Sequence, residues 1–201
     1  MSTIVLATRN AGKLAELQHL VAADDRLAAL EVVSVASYAH LEDVVESGVT
    51  FEENASLKAH QVARETNLPA VADDSGLSVD VLNGCPGVFS ARWSGRHGAD
   101  QANIDLLLAQ TRDVPEHLLT AAFHCSVVLA WPDGRSVAVA GRVDGRLTRN
   151  QRGDNGFGYD PIFELPDGRT MAELTADEKA AISHRGKAFR ALLPQLVALM
   201  S

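Results

Sequence analysis

Asp73 and Asp74 stand side by side in "AVADDSGLSVDVL", between a short apolar run and an alternating one. Adjacent carboxylates beside a core strand repel each other and lose hydration, a cost that needs compensation. Such a pair at a strand end can hold Mg²⁺, which takes one or two carboxylates together with waters and phosphate oxygens. One of the two could instead take a proton from an attacking water. The acids could also satisfy turn N–H groups around Ser75 and Gly76, an account that covers one acid more easily than two.

Four further segments carry residues of the same chemistry. "TRNAGK", Thr8 to Lys13, follows an apolar run and opens a helical pattern. Backbone N–H groups at a helix N-terminus attract anions, and Gly12 permits close backbone approach. Thr8 can cap, Asn10 can hydrogen-bond and Lys13 can reach a phosphate; an ordinary capped turn uses the same residue types. It is not a Walker A loop, because G-x-x-x-x-G-K-[ST] is absent.

In "ESGVTFEENASLKA", Glu46 to Ala59, Asn54 and Lys58 are four apart and share a helix face. Glu46 precedes them in a loop beside Gly48, a metal-ligand candidate of a type that is commonly just solvated. "GDNGFGYDPIF", Gly153 to Phe163, sets Phe157 and Tyr159 among glycines, with Asp160 fixed ahead of Pro161. An aromatic there could stack on a nucleobase or plug the core, which is the expected place of Tyr159 and Phe163. "EKAAISHRGKAF", Glu178 to Phe189, supplies Lys179, His184, Arg185 and Lys187. Arg185 can donate in a fixed fork to a carbonyl or phosphate.

An α/β frame must position these groups. Ile4–Ala7 and Glu31–Val35 read as strands around a helix with Leu14, Leu17, Leu20 and Val21 on one side. Thr50 and Glu53 have capping-box spacing ahead of a helix reaching Asn67. After Pro69 comes the acid-bearing strand, then alternation of Leu77, Val79 and Val81, turn residues at Asn83–Gly87 and a helix over Ala99–Gln110. Ala121–Trp131 and Arg135–Val143 form a hairpin candidate about "PDG", which predicts a mixed sheet. Thr175 and Glu178 repeat the capping-box spacing, and the last helix carries Phe189, Leu192, Leu196 and Met200 with a bend expected at Pro194.

The 201 residues predict one domain, 1–201, and 46% apolar residues are enough for a core. The net charge of -8, from 18 basic and 26 acidic residues, argues against a broad nucleic-acid surface but leaves room for an anionic small molecule in a lysine-lined site. No run is long enough for a membrane span, and "MSTIVLATRN" has neither a basic n-region nor a cleavage-like site, so the expectation is cytoplasmic. Cys85 and Cys125 lack zinc-ligand spacing, and Cys125 is expected to be buried beside Phe123, Val127, Leu129 and Trp131.

The five segments, in order from Thr8 to Ala188, resemble the inosine triphosphate pyrophosphatase family, most specifically in "GFGYDPIF" and "ISHRG". Among its members the chain is similar to the bacterial enzymes acting on XTP, ITP and dITP. The resemblance implies an elongated α/β structure, two lobes about a mixed sheet with a substrate cleft between them, and a homodimer. It implies Mg²⁺-dependent hydrolysis between the α and β phosphates, giving a nucleoside monophosphate and pyrophosphate, and a role in keeping such nucleotides out of DNA and RNA. By the resemblance Asp74 is general base and metal ligand, and Glu46 shares the metal. Thr8, Arg9, Asn10, Ala11, Gly12, Lys13, Ser75, Phe157, Gly158, Tyr159, Asp160, Lys179, His184 and Arg185 match substrate contacts. Many bacterial relatives have two acids where this chain has Val45–Glu46, which leaves open whether Asp73 also approaches the ion.

Arg185 with N–H groups near Phe157 would favour the purine 6-carbonyl of hypoxanthine and xanthine over the amino group of adenine. Rejection of guanine needs a further element near position 2. A Mg²⁺-dependent phosphomonoesterase and a nucleotide-sensing module are the rival readings; the first releases orthophosphate, and the second has no use for Glu46 and Asp74.

Overall fold

A continuous apolar run, buried on both faces, starts the fold. In β1 (Ser2–Leu6) Ile4 and Leu6 point to one side and Val5 to the other, and all three are fully buried. A computed structural model describes residues 2–200; Met1 and Ser201, the ends of the expected domain 1–201, lie outside the described residues. β1 pairs in parallel with β2 (Leu30–Ser34) and with β3 (Ala70–Val79). β4 (Thr120–Ala130), β5 (Ser136–Leu147) and β6 (Phe163–Glu164) complete a six-stranded sheet of order β2-β1-β3-β4-β5-β6. β6 runs antiparallel to β5, so the sheet is mixed, in line with the expected α/β class.

The chain divides into two compact units. The first comprises Met1–Asp74, Cys125–Gly141 and Arg185–Ser201; the second comprises Ser75–His124 and Arg142–His184. In the first unit α1 (Ala11–Ala22) and α5 (His184–Leu199) bury Leu17, Val21, Phe189 and Leu192 against Ile4, Leu6, Val71, Cys125, Val127 and Leu129. On the other face α2 (Phe51–Thr66) buries Ala55, Ala59 and Val62 with Val5, Ala70, Ala72 and Val128. The expected burial of Cys125 is met at 1% exposure. The second unit centres on Leu77, Val79, Leu107, Phe123, Tyr159 and Phe163, with Ile104 and Leu107 supplied by α3 (Asp100–Gln110).

Helix ends follow local chemistry. Thr50 and Glu53 complete their capping box at the start of α2, and Asn67 closes it in the left-handed region at φ 54°. Substituting the Thr50 cap would cost about 1 kcal/mol. The second box, Thr175 with Glu178, opens the short α4 (Ala176–Ile182), and Ser183 at ψ 154° separates it from α5. The single terminal helix of the sequence reading therefore becomes two, and Pro194 lies inside α5.

Two other expectations are corrected. β3 does not stop at the acids but runs through them to Val79, while Val81 leaves the strand for a 3₁₀ turn and is 41% exposed. Strand β5 continues past Val143 to Leu147, which gives the short β6 its partner. Among the described residues no helix is long and apolar enough to cross a membrane.

Candidate active site

Because neighbouring side chains in a strand point to opposite faces, Asp73 and Asp74 are not a pair in space. Asp73 shares its face with Val71, the side covered by α1 and α5. Asp74 shares its face with Ala72, the side covered by α2. The pleat lessens the repulsion that adjacency in sequence suggests, although the Asp73 charge still raises the Asp74 carboxyl, and each acid finds its own partners.

Asp73 is 3% exposed, and its Oδ2 accepts from Lys13 Nζ at 2.6 Å, with Arg185 Nε at 3.6 Å. Burial alone would push the carboxyl up. The charges of Lys13 and Arg185, the Lys13 hydrogen bond and the charge of Lys58 outweigh it and hold the group at about 2. Asp73 is therefore a fixed anion that gathers cations from the starts of two helices. Arg185 also lies 4.0 Å from Glu16.

Asp74 is half-buried, with Asn54 Nδ2 donating to its Oδ2 at 3.0 Å and Lys58 Nζ at 3.7 Å from its Oδ1. Burial raises its carboxyl pKa. Lys58 and the Asn54 hydrogen bond oppose the rise, the charges of Glu46 and Asp73 add to it, and the net shift is upward. Glu46 Oε1 accepts from Lys58 Nζ at 2.7 Å. Burial lowers the Lys58 ammonium, but Asp74 and Glu46 more than restore it, so a full positive charge already rests between these two acids.

Among the described residues no group of three or more His, Cys, Asp or Glu side chains is arranged to hold a metal ion. The relevant donor set is two carboxylates, which suits Mg²⁺ completed by waters and substrate oxygens. Lys58 shows that the space between Glu46 and Asp74 accepts a cation.

In Thr8–Lys13 the cap is Asn10, whose Oδ1 accepts from Gly12 N at 2.8 Å and Lys13 N at 3.2 Å, while Thr8 Oγ1 accepts from Asn10 N. Ala11 and Gly12 lie exposed in the first turn. Arg9 reaches elsewhere: it donates to the Leu41 carbonyl at 2.7 Å and to Asp43 at 3.0 Å, fastening the loop that carries Glu46.

In the second unit Phe157 is 58% exposed, with Lys179 Nζ 5.1 Å from its ring centroid. Asp160 is buried, accepts from Phe157 N at 2.8 Å and pairs with Lys179. Gly158 N donates to Asp100 Oδ2 at 2.9 Å, a contact that has no sequence signal because the two lie far apart in the chain. Tyr159 fills the core, as expected, and donates its hydroxyl to Ser90 O at 3.0 Å. His184 is buried and stacked on Phe123 at 4.8 Å, and Ser75 is half-buried at the start of the unit. The structure thus brings Lys13, Asp73 and Arg185 together, and separately Glu46, Lys58 and Asp74; Phe157, Asp160 and Lys179 form the third group. Asn54 was legible only as a helix-face neighbour of Lys58, and its bond to Asp74 comes from the fold.

Comparison with known proteins places the chain among relatives of full length. The Ham1 family model matches residues 4–195. The dITP/XTP pyrophosphatase of Streptomyces coelicolor is 58% identical over 196 residues, covering 96% of each chain. A Ham1 protein structure from Coxiella burnetii superposes with a TM-score of 0.91 at 40% identity, covering 98% of this chain and 100% of that one. The crystal structure of a nucleoside-triphosphatase, dITP/XTP pyrophosphatase, from Mycobacterium abscessus gives a TM-score of 0.81 at 51% identity, over 96% of this chain and 99% of that one. The kinship expected from the motifs holds over nearly the whole length, and the chain belongs to the Ham1 family.

Proposed function

We propose that the chain, acting as one domain, hydrolyses XTP, ITP and dITP to the nucleoside monophosphate and pyrophosphate with Mg²⁺. The observation that carries the reading is the Glu46–Lys58–Asp74 group, in which two carboxylates flank a charged ammonium and one has its pKa raised. Relatives sharing half or more of their residues with this chain are dITP/XTP pyrophosphatases.

Glu46 and Asp74 would hold Mg²⁺, which when bound neutralises phosphate charge and polarises the phosphoryl oxygens. Asp74 orients the attacking water and takes its proton, a task helped by a carboxylate that burial makes more basic than an ordinary one. Attack at the α phosphorus forms the new P–O bond as the bond to the β-phosphate oxygen breaks, and pyrophosphate leaves with the electron pair. Such cleavage depends mainly on positioning and charge neutralisation. Lys13, Lys58 and Lys179 supply positive charge, and the turn of Thr8, Asn10, Ala11 and Gly12 sets the positive end of α1 beside Lys13, with the Asn10 and Gly12 N–H groups held by Thr8 Oγ1 and Asn10 Oδ1.

Arg9 contributes by holding the Glu46 loop, and Asp73 by fixing Lys13 and Arg185. Phe157 presents a ring to the base, shaped by Gly158, Tyr159 and Asp160 behind it, with Ser75, His184 and Arg185 as the remaining substrate contacts. The same proposal includes a cytoplasmic homodimer that clears these nucleotides before they enter DNA or RNA. The test is pyrophosphate release from a panel of XTP, ITP, dITP, ATP and GTP with Mg²⁺ or with EDTA. Activity on the first three that EDTA abolishes is expected; equal rates on ATP and ITP would overturn the selectivity, and activity surviving EDTA would overturn the metal assignment.

A further inference from the structure

The two acids of the proposed metal site are mounted differently. Asp74 belongs to β3, but Glu46 belongs to a segment, residues 38–50, with neither helix nor strand. For both carboxylates to act on one ion, something must set that loop against the strand. Asn54 touches both. It is fully buried at 0% exposure, its Oδ1 accepts from Gly48 N at 2.8 Å, and its Nδ2 donates to Asp74 Oδ2 at 3.0 Å.

The carboxamide offers an acceptor and a donor on separate atoms, matching these two points; a carboxylate lacks the donor and an alkyl chain lacks both. The loop comes in so close that a Cβ on Gly48 would lie 2.8 Å from Asn54 Oδ1 and 2.6 Å from Glu53 Cβ. Beside it, Glu53 Oε2 accepts from Val49 N at 2.6 Å, which fastens the loop at its far end. On the strand side, the bond to Oδ2 fixes the carboxylate plane and leaves Oδ1 as the oxygen nearer Lys58.

We propose that Asn54 is a positioning residue that couples the two acids, holding the Glu46 loop through Gly48 and orienting Asp74 so that both carboxylates serve one divalent cation. This rests on the pyrophosphatase reading of the same site. Partners of metal-binding carboxylates typically change metal affinity or activity by about 10–100-fold when removed.

Two variants test it, with Mg²⁺ titrated in two assays: turnover of ITP, and the rise in Tm caused by Mg²⁺ alone. Asn54→Leu removes both bonds. Gly48→Ala leaves Asn54 and Asp74 in place but displaces the loop, and it lies outside the core, so it keeps the test alive if the buried variant does not fold. Each should raise the Mg²⁺ concentration for half-maximal turnover and for half-maximal stabilisation by about tenfold or more, with KM for ITP at saturating Mg²⁺ changed far less. Lower stability with an unaltered Mg²⁺ requirement in both assays would mean that Asn54 only packs, and would overturn the proposal. A parent protein that releases no pyrophosphate, yet loses its Mg²⁺-induced rise in Tm in both variants, would remove the pyrophosphatase reading and leave the coupling standing.

Discussion

Replacing Asp73 with Asn removes the anion that two cations share. The carboxyl is held at about 2 against an ordinary 3.8. At about 1.4 kcal/mol per pH unit, that difference corresponds to roughly 2–3 kcal/mol of stability at neutral pH. Asp73 is only 3% exposed, so little of this is lost to solvent screening. Orphaning a buried charge typically costs about 3–5 kcal/mol. Two features moderate that figure here: Arg185 keeps Glu16 at 4.0 Å, and the Lys13 side chain, 20% exposed, can turn towards water. A loss of about 2–4 kcal/mol is expected, which for a chain of this size lowers Tm by about 5–15 °C in calorimetry at pH 7. The sign of the pH dependence follows from a depressed folded-state pKa. The contribution is present above the unfolded value of 3.8 and disappears as pH falls towards about 2, so the parent and Asp73→Asn should converge there. A Tm within about 2 °C of the parent at pH 7, or a gap that persists unchanged to pH 2, would refute the assignment of Asp73 as the anchoring anion.

Asp74→Asn should lower kcat by about 10²–10⁴-fold; because burial raises the Asp74 pKa, its charge is a burden to the fold, and Tm should hold or rise. Near-normal turnover in a folded variant would dismiss Asp74 as the base. Gly156→Ala places a side chain on a residue at φ 80°, with the new Cβ 2.1 Å from Asp160 Oδ2. Urea unfolding should show a loss of about 1–3 kcal/mol, and an unchanged midpoint would contradict the close approach of the Gly156 backbone to Asp160. Burial raises the Tyr159 hydroxyl above its ordinary 10.0. The neutral form is the folded one, so stability should fall as pH rises past 10, and Tyr159→Phe should flatten that alkaline limb while costing about 1 kcal/mol below it.

Patterns with a short period are readable in the sequence alone. Both helix-start boxes, Thr50 with Glu53 and Thr175 with Glu178, form as their spacing requires, since a cap is settled by four consecutive residues. Tyr159 and Phe163 are buried as their place in the glycine-rich segment suggests, and Phe157, for which the sequence left stacking and packing both open, is exposed. The separation of Asp73 from Asp74 was also available in principle, because a strand that continues through both must turn them apart. The acids looked like a strand end, and that reading concealed it. The partners of Arg9 were hidden for a different reason. Its place in "TRNAGK" says nothing of the Leu41 carbonyl, which lies far along the chain in the loop that carries Glu46, where the Leu41 side chain is buried. The two-residue β6 has no period to detect, and its existence depends on the extension of β5 to Leu147.

The central claim is cleavage between the α and β phosphates, and hydrolysis of ITP in H₂¹⁸O with Mg²⁺ tests it directly. Attack of water at the α phosphorus predicts one pyrophosphate per monophosphate formed, with the ¹⁸O in the inosine monophosphate and none in the pyrophosphate. Orthophosphate as the initial product, or ¹⁸O carried by the pyrophosphate, would contradict the account.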